Sequence, residues 1–376
     1  MSCPLSSKEV QNIIDLMQAP FDPITNFVPK CPRKDNCGKE NYKPCGNRLR
    51  DFSHETNSGI MQIGRRNGGA LWEKINEPTK NNQPNPDKNN REEDKLIIYP
   101  PIVPDFAEYE KNNYFKRHIQ FKHPLSSQRA NINLFFPILL HPRVNDILKE
   151  IKPDFVSLAK NHLYKGFKLE FWGSDSINEK GLLGDHSPIV GTDADTAITY
   201  YNNSNELCLW LIEHKLTEHE FSKCNACKSK NKTSNNDCSR SFADILLNKN
   251  LCYYHSGKKY KYWDITGENL DYFSAYSKYK ECPFEEGMNQ LWRNSLLALS
   301  VEKDEKQPYK HAFFSVVKHP ENTYLDSAIS KYKELIGNNN PKFNVFTSGD
   351  LINAATKLGD ESLNKWVKWY KKIYNV

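Results

Sequence analysis

An apolar run, Leu207 to Ile212, ends in Glu213-His214-Lys215, and a short extended segment upstream opens with Asp193 and Asp195. Side chains on a strand alternate faces, so Glu213 and Lys215 point one way and His214 the other. A hairpin turned at Asn202-Asn203-Ser204-Asn205 brings Asp195 back beside Glu213. Two carboxylates and one ammonium at the end of a buried hairpin are costly to desolvate unless they bind something. A divalent metal and a phosphate suit them, and the chemistry is phosphodiester cleavage. Magnesium (or manganese) prefers hard oxygen ligands, commonly one or two carboxylates with water and substrate phosphate. Asp195 and Glu213 supply the carboxylates, and the His214 carbonyl is placed to add a third oxygen. Such a metal polarises the scissile phosphate and lowers the pKa of its attacking water. Lys215 then orients or deprotonates that water and stabilises charge on the phosphate. Asp193 is either a ligand to a second metal or a turn residue after Gly191. Glu-x-Lys by itself is a weak motif, since a solvated strand end with Lys215 pairing Glu218 reads the same way.

A second group of residues could bind metal. Cys224-x-x-Cys227, Cys238 and Cys252 follow within forty residues of Lys215, and Cys282 lies beyond. A Cys-x-x-Cys knuckle is a common half-site for tetrahedral zinc, and the other thiols can complete it. The same thiolates could hold an iron–sulfur cluster. His255 is a further candidate ligand. Buried thiols without metal are the alternative, but the segment is polar with little evident core of its own, which favours a structural metal. Cys31, Cys37, Cys45 and His54 have zinc-finger-like spacing without a knuckle, a weaker signal for a second site.

Several elements must position these residues. Ser7 to Met17 reads as a short amphipathic helix. Residues 1–95 form a cysteine-containing, loop-rich extension that ends in a linker at about 77–95, where almost nothing is apolar. Residues 96–376 carry the chemistry, with a cysteine-rich insertion at about 220–285. Asp105 to Lys122 and Arg143 to Leu163 are expected as helices. Lys165 to Trp172 alternates and reads as a strand. Helices are expected at 286–301, 324–335, 350–358 and 361–374, and strands at 311–317 and 343–346. The resulting order is that of an α/β sandwich around a mixed sheet. Lysines and aromatics interleave along 365–374, where they either contact nucleic acid or pack on the core.

The chain has 376 residues, a net charge of +6 and a mean hydropathy of −0.75. The charge is compatible with a polyanionic partner without requiring one. No secretory signal and no run long enough to span a bilayer is visible, so a cytoplasmic protein is expected. In a reducing compartment the ten cysteines point to metal before disulfides. A zinc-deaminase pattern and a phosphate-binding glycine loop are both missing.

Several blocks resemble the PD-(D/E)xK nuclease superfamily and, within it, a family of restriction endonucleases. They are Ser126-Ser127-Gln128 with Asn131-x-Asn133-Leu134-Phe135-x-Pro137, Thr192-Asp193-Ala194-Asp195-Thr196-Ala197, Ile212 to Glu218, and Gln290-Leu291-Trp292-Arg293. The resemblance runs from about residue 120 to 350. It implies a restriction-endonuclease-like core, assigns the catalytic aspartate to Asp195, and places a helix bearing Gln290 behind the hairpin. Gln290 then lies near the active site or merely packs. Glu170 is either an extra acid near the metal or a strand-edge residue pairing Lys168. Arg129, Lys165 and Arg293 are candidates for phosphate contacts.

The expected function is a magnesium-dependent nuclease acting on double-stranded DNA, in restriction or defence. Cutting both strands usually needs two active sites, hence a homodimer is a candidate assembly. A non-catalytic, zinc-stabilised binding or adaptor protein on the same scaffold, or an RNase, are the rival readings.

Overall fold

A computed structural model describes residues 97–118, 121–123, 125–174, 179–187, 191–285 and 287–376. The helix expected at 7–17, the linker at 77–95 and the Cys31, Cys37, Cys45 and His54 group lie outside the described residues. A mixed sheet organises the rest. Strands β1 (Ser157–Leu158) and β2 (Phe167–Phe171) both pair antiparallel with β3 (Ala194–Tyr201). β3 pairs antiparallel with β4 (Leu207–Lys215), and β5 (His311–Lys318) and β6 (Phe343–Thr347) continue from β4 in parallel. The turn between β3 and β4 falls on the asparagines: the Asn202 side-chain oxygen accepts the N–H groups of Ser204 and Glu206 at 3.0 and 2.9 Å, and Asn205 adopts φ of 58°.

β4 is apolar almost without alternation because both of its faces are covered. Trp210 and Ile212 face one core, built with α1 (Val103–Asn112), α2 (Ser127–Leu139), α3 (Val144–Ile151), and the last two helices, α9 (Ser348–Lys357) and α10 (Glu361–Tyr374). Leu209 and Leu211 face the other core. It is built with short helices α4 (Phe242–Leu247), α5 (Tyr253–Ser256) and α6 (Tyr262–Gly267), then α7 (Asn289–Lys303) and α8 (Asp326–Ile336).

Pro137 lies inside α2 and has no N–H to give the Asn133 carbonyl one turn back. That carbonyl accepts the Trp366 indole N–H from α10 at 2.8 Å instead. In α10 the aromatics Trp366, Tyr370 and Tyr374 are buried and Lys365, Lys368, Lys371 and Lys372 are exposed, which is the packing alternative for this segment.

Three expectations need correction. The helix from Arg143 stops at Ile151, because Lys152 precedes Pro153 and is pushed out of the helical region. The β1 strand lies inside the span expected to be helical. The helix from Asp105 ends at Asn112, where Asn113 turns extended. The insertion is also not poor in core: Phe242, Trp263, Phe273 and Phe284 are buried, and Phe284 stacks on Trp292 of α7 with ring centroids 3.9 Å apart. Aromatic packing, spread thinly through a polar sequence, docks it.

Candidate active site

Register brings the acids together. Thr196 pairs with Ile212, so Asp195 stands opposite Glu213. Leu169 pairs with Thr196 and Phe171 with Ala194, which sets Glu170 opposite Asp195 on the other side. Glu170, Asp195 and Glu213 thus form a row across β2, β3 and β4, where neighbouring strands are about 4.8 Å apart. Glu170 takes φ of 54°, a left-handed break in β2 at the row's edge.

Each member of the row is gripped. Glu213 accepts from Lys215 Nζ at 2.8 Å and from Gln290 Nε2 at 2.7 Å on one oxygen, and from Asn294 Nδ2 at 2.7 Å on the other. Asp195 Oδ2 accepts the His214 backbone N–H at 2.6 Å, and the Asp195 carbonyl accepts from Asn131 at 3.1 Å. Glu170 accepts from Gln128 Nε2 at 2.8 Å, whereas Lys168 reaches the Ser174 carbonyl at 3.1 Å. Asp193 lies just before β3 and bonds the His186 ring at 3.0 Å. Gly191 lets this segment approach His186 closely, since a Cβ there would come within 2.8 Å of the His186 backbone.

Electrostatics follow from this crowding. Burial first, then the neighbouring acids Asp193 and Glu213, push Glu170 up to about 8. Burial, Glu213 and Glu170 raise Asp195 well above the usual carboxylate range, against Lys215 and the His214 N–H. Burial works to neutralise Lys215, but Glu213, Glu218 and Asp195 outweigh it and hold the ammonium protonated. Lys215 is therefore a cation and a proton donor at neutral pH, which favours orienting and charge-stabilising work over deprotonating water. His214 faces the opposite core, where burial pulls it down to about 4, so it is neutral.

Crowded, buried carboxylates whose pKa values are raised, by burial first and by one another second, suit a hard dication, which would offset both effects. Among the described residues, no group of three or more His, Cys, Asp or Glu side chains is arranged to hold a metal as it stands. Magnesium needs only one or two carboxylates, so the donor set fits it. The same finding means that the five insertion cysteines, all free thiols where described, do not form a closed cage as they stand.

Of the three arginine and lysine candidates for phosphate contact, Arg129 is buried in α2. Arg293 donates to the Gly191 carbonyl, the Thr192 hydroxyl and the Ser222 hydroxyl at 3.3, 3.3 and 3.1 Å, tying the segment before β3 to the segment after β4. Asn294 was not singled out by the sequence. Its signal is the four-residue spacing from Gln290, which stacks both amides on one helix face. Removing it leaves one buried Glu213 oxygen unmatched, so Asn294→Ala should lower stability by about 2 kcal/mol in urea unfolding. Ser295→Ala, one position round the helix, should leave the Glu213 contacts intact.

A mixed sheet whose hairpin carries an acid row and a lysine, backed by a helix with paired amides, is the architecture of a nuclease of the PD-(D/E)xK class. A family model described as Restriction Endonuclease associating with ARP matches residues 73–375, and the chain belongs to that family. Family membership makes it a nuclease of the restriction-endonuclease type. No curated protein and no solved structure matches the chain. No described helix is long and apolar enough to cross a membrane.

Proposed function

We propose that the protein is a magnesium-dependent endonuclease that hydrolyses double-stranded DNA. The observation that carries this is the row Glu170, Asp195 and Glu213 with Lys215 bonded to Glu213 at 2.8 Å. Asp195 and Glu213 would hold the ion, with Glu170 beside them. Magnesium, when bound, supplies Lewis acidity to a phosphate oxygen and acidifies its water. The rest is the work of the chain. Lys215 places a fixed positive charge where the phosphate gains negative charge. Gln290 and Asn294 hold the Glu213 carboxylate in one orientation, so the row does not reorganise during reaction. Gln128 and Asn131, both from α2, fix Glu170 and the β3 backbone from the strand side.

The direct test is incubation of the purified chain with duplex DNA, single-stranded DNA and RNA, each with magnesium, manganese or EDTA. Cleavage of duplex DNA that needs the divalent ion is the expected result. Cleavage of RNA alone would favour the ribonuclease reading, and binding without turnover under every condition would favour a non-catalytic scaffold. A restriction role rests on the family and is read by product ends; a dimer rests on the need for two active sites to cut both strands and is read by sedimentation.

A further inference from the structure

Two loops leave the carboxyl ends of the parallel strands β4 and β5 side by side. Lys215 pairs with Lys318, and the His319 N–H donates to the Lys215 carbonyl at 3.0 Å. In open α/β sheets, ligands lodge at such carboxyl ends. Asn322, buried in the second loop, donates to the Leu216 and Glu218 carbonyls of the first at 3.2 and 3.0 Å. Glu218 accepts the N–H groups of Leu216 and Thr217 at 2.7 and 3.0 Å. His319 Nε2 donates to the Tyr374 carbonyl at 2.8 Å, at the end of α10. Both loops are therefore fixed at their roots.

On this base stand two aromatic rings. His219 of the first loop stacks on Tyr324 of the second, with ring centroids 4.2 Å apart and planes 22° from parallel. His219 is exposed, and Tyr324 is 44% exposed. Among the described residues the other exposed large apolar side chains are Val156 and Leu247. The Val156 N–H donates to the Tyr201 carbonyl, at the end of β3 remote from Asp195, and Leu247 ends α4 in the insertion. Of the three, only Tyr324 follows the carboxyl edge on which Lys215 lies.

The stack is close to the acid row. His219 is four residues from Lys215, so their Cα atoms lie within about 14 Å even on a fully extended chain. The loop is not extended, for it returns two residues after His219, where the Phe221 ring lies 5.8 Å from the Lys215 ammonium. A DNA strand advances about 3.4 Å per nucleotide, so the stack falls within about four nucleotides of a phosphate at Lys215.

We propose, resting on the nuclease reading, that His219 and Tyr324 form a stacking platform for one base of the substrate strand, drawn out of the helix beside the scissile phosphate. Every base has a π-face, and stacking on an aromatic side chain raises affinity by roughly 5- to 150-fold with little regard to sequence. His219 backs the tyrosine ring, so the base meets a surface already in position. Unstacking a base costs free energy, least where the base is already unpaired. Drawing it onto the platform loosens the strand at the point where Lys215 and the acid row meet it.

The test is equilibrium binding in calcium, without turnover, of a duplex of fixed sequence and of the same duplex carrying one bulged, unpaired thymine. The wild-type chain should bind the bulged duplex roughly tenfold more tightly, because the unstacking is already done. Tyr324→Ala should lose that preference, Tyr324→Phe should keep it and His219→Ala should reduce it. Unchanged urea unfolding checks that the variants fold. Stacking releases no counterions, so the slope of log affinity against log salt should be the same in Tyr324→Ala and wild type. Equal preference in wild type and Tyr324→Ala, or a slope that falls with the substitution, overturns the platform. Metal-dependent cleavage of duplex without any bulge preference removes the platform and leaves the nuclease reading. A preference that Tyr324→Ala abolishes, in a chain that cleaves nothing with any ion, leaves the platform standing and counts against the nuclease reading alone.

Discussion

Lys215→Ala should lower DNA cleavage by roughly 10²–10³-fold, the usual cost of losing a fixed transition-state partner, while duplex binding in calcium is retained. The loss is large because the ammonium is enclosed between Glu213 and Asp195 and cannot be replaced by solvent. The substitution also leaves Glu213 without its cation, and breaking a buried pair costs about 3–5 kcal/mol. Lys215→Arg separates the two effects. It keeps the charge and the fold, but places a planar fork where a single ammonium sits, so cleavage should stay low while unfolding is little changed. Asp195→Asn should match Lys215→Ala in activity, since it removes a carboxylate that would hold the ion. Undiminished cleavage in both Asp195→Ala and Glu213→Ala would remove the row from the chemistry altogether.

How far such a site can be read from a sequence depends on which interactions are local. The hairpin was legible because strand alternation, an asparagine turn and an unbroken apolar run agree, and its bounds at Leu207 and Lys215 match the strand. The choice of Asp195 over Asp193 came from the family resemblance, while the register that sets Asp195 opposite Glu213 follows from the turn. Helix ends were less legible where one proline or asparagine decides them, as at Pro153 and Asn113. Least visible were long-range contacts. Nothing local marks Gln128 as the partner of Glu170, 42 positions away, or Asn294 as the partner of Glu213, 81 away. The insertion was misjudged for a related reason. Its aromatics are scattered in a polar sequence, and only the docking surface of α7 gathers them into a core.

The acid row also sets a pH dependence opposite to that of an ordinary salt-bridged protein. Glu170 is raised from 4.5 to about 8, and Asp195 is raised as well, so the folded chain keeps protons that the unfolded chain has already released. Between those two values stability of the metal-free protein should fall as pH rises, because folding then requires taking up protons that are scarce. Thermal unfolding in EDTA should show the midpoint dropping between pH 5 and 8 by an amount on the order of several degrees. Magnesium should reverse the trend, since the ion takes the place of the protons on the same oxygens. Its apparent affinity should therefore rise roughly tenfold per pH unit for each proton displaced. Cleavage at limiting magnesium should climb through the same range. Glu170→Gln removes one of these protonation steps while keeping the contact to Gln128, and should make the metal-free stability curve shallower. A stability profile that instead increases from pH 5 to 8 in EDTA would mean that the acids are ionised in the folded chain, and that Lys215 and the amides already neutralise the row without metal.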